Sequence, residues 1–218
     1  MRVLAKFVFA WALLFTCASG VRSAHGQQVI DRIVARVDDD IILQSDVDQL
    51  ARYQILVDGK SESREQILDR LIDQWIVRKE AEASRFPAAA EPDVDRGLQR
   101  LERSFAKKED FDSQREKAGL TEADVRQIVT SQAYLTNYLD SRFRPTVQVD
   151  EQAIKDFYDN ALIPRAKARG QEPPSFDNAR DVIQEVLIQR GINEQADKWL
   201  KESRTHLHIS KFLDESGK

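Results

Sequence analysis

The chain has 218 residues, with 33 basic and 37 acidic side chains and a net charge of −4. That balance argues against nucleic acid or anionic lipid as the main partner, since both are held by clustered Lys and Arg. A lone cysteine excludes a disulfide framework, and eight glycines leave no glycine-rich phosphate loop.

The first 26 residues read as a secretory signal. Arg2 and Lys6 precede the apolar run Phe7 to Cys17, which is short for a transmembrane span. Ala24-His25-Gly26 puts small residues at −3 and −1, so cleavage is expected after Gly26. An uncleaved anchor and a lipid on Cys17 are the lesser readings; Phe15 and Thr16 suit acylation poorly. Removing these residues takes away Arg2, Lys6, Arg22 and no acid, leaving 192 residues with charge −7. The only Cys and the only Met leave with them. The rest must hold together by burial, and a chain of this length hides about 70% of its unfolded surface.

Residues 27–145 read as an N-terminal hairpin and a helical region. Ile33, Ala35 and Val37 alternate with Val34 and Arg36 as in a strand. Asp38-Asp39-Asp40 supplies a turn, and Ile41-Ile42-Leu43 a second strand. Ser45 is the expected N-cap of a helix that runs to Val57 and stops at Asp58-Gly59. Ser63 and Gln66 form a capping box ahead of a helix that ends near Phe86-Pro87. In it Ile67, Leu71 and Trp75 run beside Leu68, Ile72 and Ile76, a row wide enough for more than one neighbour. Pro92 opens the next helix, carrying Val94, Leu98, Leu101 and Phe105. A short charged helix around Phe111 ends at Gly119. Thr121 caps another, built on Val125, Ile128, Val129, Gln132, Leu135 and Leu139, which stops before Pro145.

Residues 146–175 read as one helix and a linker. Asp150 caps a helix with Ile154, Phe157, Tyr158 and Leu162, and Pro164 to Ser175 is the linker. Residues 176–218 give a long helix using Val182, Ile183, Val186, Leu187, Ile192, Ala196, Trp199 and Leu200, with Gly191 a weak spot inside it. His206 to Ser210 alternates as a strand. An isolated hairpin is marginal in water, so Leu207 to Phe212 is expected to join it. The fold class is mainly α: a multi-helix module with a small antiparallel sheet combining the N-terminal hairpin and a C-terminal strand. The same pairing between two copies would make a swapped homodimer.

The block Ile30-Asp31-Arg32-Ile33-Val34, Val37-Asp38-Asp39-Asp40, Ile41-Ile42, Ser45-Asp46-Val47 resembles the opening of the SurA-type periplasmic chaperones. Gln66 to Glu80 is similar to that family's long second helix, and Val182 to Phe212 to its closing helix and strand. The family usually has Asn where Asp38 stands, a mild change because both tolerate left-handed backbone. Many relatives insert parvulin-type prolyl isomerase domains before the closing helix. Here only residues 146–175 lie there, too few for such a domain. The resemblance therefore implies the chaperone module without the isomerase: a periplasmic, ATP-independent holdase, not an enzyme, for unfolded outer-membrane or secreted polypeptides. The alternatives are a minimal prolyl isomerase and a non-chaperone envelope adaptor.

The aromatic residues divide. Trp75, Trp199, Phe105 and Phe157 sit in helical stripes and read as core. Tyr53, Phe86, Phe111, Tyr134, Tyr138, Phe143 and Tyr158 are harder to place in one core and are the client-binding candidates, since amphipathic rings suit unfolded chains. Metal sites and cofactors are not expected. Asp38, Asp39, Asp40, Asp46 and Asp48 lack the spacing of a Ca²⁺ loop and read as turn and cap residues. His206 and His208 lack a third ligand and read as solvated edge residues.

Overall fold

A computed structural model of the chain describes residues 31–212; the signal segment expected at residues 1–26 lies outside them. Strand β1 (Ile33–Val37) turns back into β2 (Asp40–Leu43), which runs directly into α1 (Gln44–Asp58). Helices α2 (Arg64–Ala83), α3 (Glu91–Arg103), α4 (Lys108–Lys117) and α5 (Glu122–Phe143) follow. A 3-10 turn (Arg144–Thr146) leads to α6 (Glu151–Phe157), a π turn (Tyr158–Leu162), α7 (Ile163–Ala168), α8 (Phe176–Arg204) and β3 (Ile209–Lys211).

The sheet closes as expected, with strand order β2-β1-β3 and both pairings antiparallel. At the turn Asp38 takes a left-handed φ of 51°. Its N–H donates to the His208 carbonyl at 3.0 Å, and its carboxylate accepts the His208 N–H at 2.9 Å. One aspartate thus makes the hairpin turn and receives the returning chain.

The alternation expected in β1 is broken by a bulge. Ile33 opposes Leu43 and Ala35 opposes Ile42, so Val34 is the extra residue. It swings Val34 into the core and leaves Ile33 40% exposed. The Val34 carbonyl accepts the Phe212 N–H at 2.8 Å.

Ser45 is not the N-cap. Because β2 enters α1 without a loop, Leu43 holds the cap position, and its N–H donates to the Asp46 carboxylate at 2.9 Å. The Ser45 hydroxyl donates instead to Asp31, tying the start of β1 to the start of α1 and holding the Asp31 carboxyl below its usual range.

Helix α2 has the Ser63–Gln66 capping box but ends at Ala83, earlier than expected. Arg85 is left-handed, and the Phe86 N–H reaches back to the Ala81 carbonyl at 2.9 Å. Helix α3 likewise stops before Phe105, whose ring meets Phe111 edge-on at 5.4 Å.

The linker expected from Pro164 begins as helix. The π turn widens the backbone ladder, and Pro164 then sits in the first turn of α7, where its missing N–H costs little. Only residues 169–175 connect α7 to α8. Gly191 is a contact and not a weak spot: a Cβ there would lie 2.6 Å from Val147 Cγ1. Gly97 is pressed in the same way against Val129, at 2.7 Å.

Burial is spread over several neighbouring cores. Val34, Val37, Ile42, Val47, Ile67, Leu68, Ile72 and Ile76 fill the space beneath the sheet, with Trp199 and Leu207 from the C-terminal segment packed on them. Tyr53, Leu56, Val94, Phe111, Val125 and Val129 join α1, α3, α4 and α5. Val77, Ala81, Leu135 and Tyr138 join α2 to α5, and Ile154, Ala179 and Ile183 join α6 to α8.

Candidate functional site

Helices α2 and α5 do not close on each other along their whole length. Between them, under β2 and α1, lies a chamber of about 230 Å³. Ile41, Leu71, Trp75 and Ile128 supply its apolar surface; Gln49, Gln74, Gln127, Ser131 and Gln132 supply its polar surface. The sequence marks it only indirectly, through the second apolar row on α2. Leu71 and Trp75 pack on the core beneath the sheet while remaining half-buried.

The chamber opens at both ends. Leu50, Gln74 and Gln132 are shared with a cavity of about 910 Å³ that runs past Tyr53, Val57 and Arg70. Arg78, Gln127 and Ser131 are shared with a cavity of about 730 Å³ that runs past Phe86, Ala89 and Tyr134. Through these shared residues the three follow one another along α2, from Arg70 to Glu82, as a trench. Arg78 donates to the Ser131 hydroxyl at 3.3 Å, linking α2 to α5 across it.

Trp75 is fixed from outside the trench. Its indole N–H donates to Asp40 at 2.9 Å, and Lys79 lies 2.7 Å from the same oxygen. Lys79 first, then Trp75, keep the Asp40 carboxyl below its usual range. The Tyr53 hydroxyl donates to Gln132 at 3.3 Å; burial pushes its pKa up.

The seven aromatic candidates do not form one surface. Tyr53, Phe111 and Tyr138 are buried, so most of each ring is already committed to the core. Phe86, Tyr134, Phe143 and Tyr158 are half-buried. Of these, Phe86 and Tyr134 meet at the end of the trench with ring centres 5.9 Å apart. Phe143 lies against Trp199 at 5.9 Å, with the Arg142 guanidinium 4.8 Å from the indole. Tyr158 packs edge-on against Phe176 at 5.3 Å and donates to the Pro174 carbonyl at 2.7 Å. The trench amides were not legible as a group, because helical Gln residues carry no pattern of their own.

His206 and His208 precede β3 and do not share a strand face. No group of three or more metal-ligating side chains occurs among the described residues. No helix among them is long and apolar enough to cross a membrane.

No protein-family model matches the chain. It is similar to the protein named Chaperone SurA of Pseudomonas aeruginosa, with 29% identity over 144 residues. That stretch is 62% of this chain and 34% of the relative, so the match spans about a third of the relative's length.

Proposed function

We propose that this protein is an ATP-independent periplasmic holdase that binds unfolded outer-membrane or secreted polypeptides in the α2–α5 trench. The carrying observation is the trench itself: an open groove whose apolar patches, Leu71, Trp75 and Ile128, lie among amide side chains. Each apolar side chain a client buries there contributes about 25 cal/mol per Å² removed from water. A short segment covered in an open groove is held weakly and released without an energy source. The similarity to a protein named as a chaperone favours the same reading.

Purified residues 27–218 at stoichiometric amounts are expected to slow aggregation of an unfolded β-barrel client. No effect on such a client would overturn the reading. The protein is proposed to bind without catalysing prolyl isomerisation, since residues 146–175 offer no room for a parvulin domain. Acceleration of a proline-limited refolding reaction at catalytic concentration would contradict this.

A further inference from the structure

Two amides on opposite walls of the central chamber, Gln74 on α2 and Gln127 on α5, have no hydrogen-bond partner among the described residues. Their neighbours are engaged: Gln49 donates to Asp124 at 3.3 Å, and Gln132 accepts from Tyr53. Several charges along the trench are also engaged. Glu62 accepts from Arg70 Nε and Nη2 at 2.6 Å each, Asp46 takes the Leu43 N–H, and Arg126 is held by Glu91 and Asp95. In the central chamber Asp46 and Arg78 balance each other. On a chain of net charge −4, this groove carries no charge preference of its own.

We propose that the trench grips its occupant by the main chain, as an uncharged segment in extended form, with Gln74 and Gln127 as the gripping pair. This deepens the holdase reading and rests on it. An amide offers one acceptor and two donors, the complement of a peptide unit's N–H and C=O. Such contacts read no side chain, so they suit many sequences, while Leu71, Trp75 and Ile128 take the apolar side chains between them. The α2 wall from Arg70 to Glu82 spans about 18 Å at 1.5 Å per residue, which matches about five or six residues of extended chain at ~3.3 Å each.

The test uses a fluorescent seven-residue uncharged apolar peptide and the purified protein with Gln74→Met and Gln127→Met, singly and together. Met keeps the length of Gln and removes its hydrogen bonding. If the main chain is gripped, the double variant binds at least tenfold weaker although its chamber is more apolar. A backbone N-methylated peptide loses affinity for the wild type and much less for the double variant. If burial alone drives binding, the double variant binds equally or more tightly, which overturns this inference and leaves the holdase reading standing. A wild type that neither binds the peptide nor slows client aggregation overturns both. Gln127 is exposed, so the Gln127→Met single variant reads the effect even if the double variant misfolds.

Discussion

Val147 closes on Gly191 so tightly that a Cβ on the glycine would come within 2.6 Å of Val147 Cγ1 and 3.0 Å of Cγ2. In an open helix Gly→Ala gains about 1 kcal/mol. Here the β-branched valine has little freedom to move aside. Gly191→Ala is expected to destabilise the protein by about 1–3 kcal/mol in urea unfolding. Adding Val147→Ala should reverse the sign, making Gly191→Ala stabilising in that background. A stabilised single variant would show that α8 can shift away from Val147 at little cost.

The aromatic candidates separate by experiment as they do by burial. Phe111→Ala empties a core position and is expected to cost roughly 3–5 kcal/mol. Phe86→Ala removes a half-exposed ring and should cost about 1 kcal/mol while weakening client holding at stoichiometric amounts. Equal stability losses for the two would place Phe86 in the core as well.

Low pH should loosen the junction of α5 and α8. Arg144 bonds Glu185 at 2.7 and 3.0 Å and Asp140 at 2.8 to 3.0 Å. Arg144, then Gln189, hold Glu185 at about 2, down from 4.5. A carboxylate with a depressed folded-state pKa stabilises the fold above its unfolded value, and this contribution is lost as pH falls through the folded one. The thermal midpoint is therefore expected to drop between about pH 4.5 and pH 2, with a shallower drop in Arg144→Gln. Parallel pH profiles for the two proteins would contradict that assignment.

Arg204 fastens the end of α8 to α2. It donates to Asp73 at 2.7 Å, to the Asp69 carboxylate at 3.0 Å and to the Asp69 carbonyl at 2.7 Å, while Lys211 on β3 lies 2.8 Å from Asp69. Arg204→Gln is expected to cost about 1–3 kcal/mol. Amide exchange should quicken first at Phe212, bonded to Val34, and at Asp38, bonded to His208. Unchanged protection there would mean that β3 is held by its ladder alone.

What the sequence made legible follows from where the information is local. The Ser63–Gln66 box, the Thr121 cap and the stops at Gly59 and Gly119 each depend on a few adjacent residues, and each stands where expected. The three-stranded sheet was legible because a hairpin alone is too weak. The failures have non-local causes. The bulge at Val34, in the pairing with β2, answers to the core beneath the sheet, Ser45 lost its cap role to the strand running into α1, and the π turn rescued Pro164 as a helical residue. Gly191 read as a defect because Val147, far away in sequence, supplies its reason. The trench was hardest to see, since Gln74 and Gln127 become a pair only when α2 and α5 are set side by side.

The clamp between Asp38 and His208 joins residues 170 positions apart. In chain order β1 and β2 precede α1 to α8 and β3 follows them, so the sheet stays unfinished until all eight helices have been made. Until then the first strands form only a two-stranded ribbon, and a variant truncated before Ile209 keeps the edge of β1 that β3 would cover unpaired.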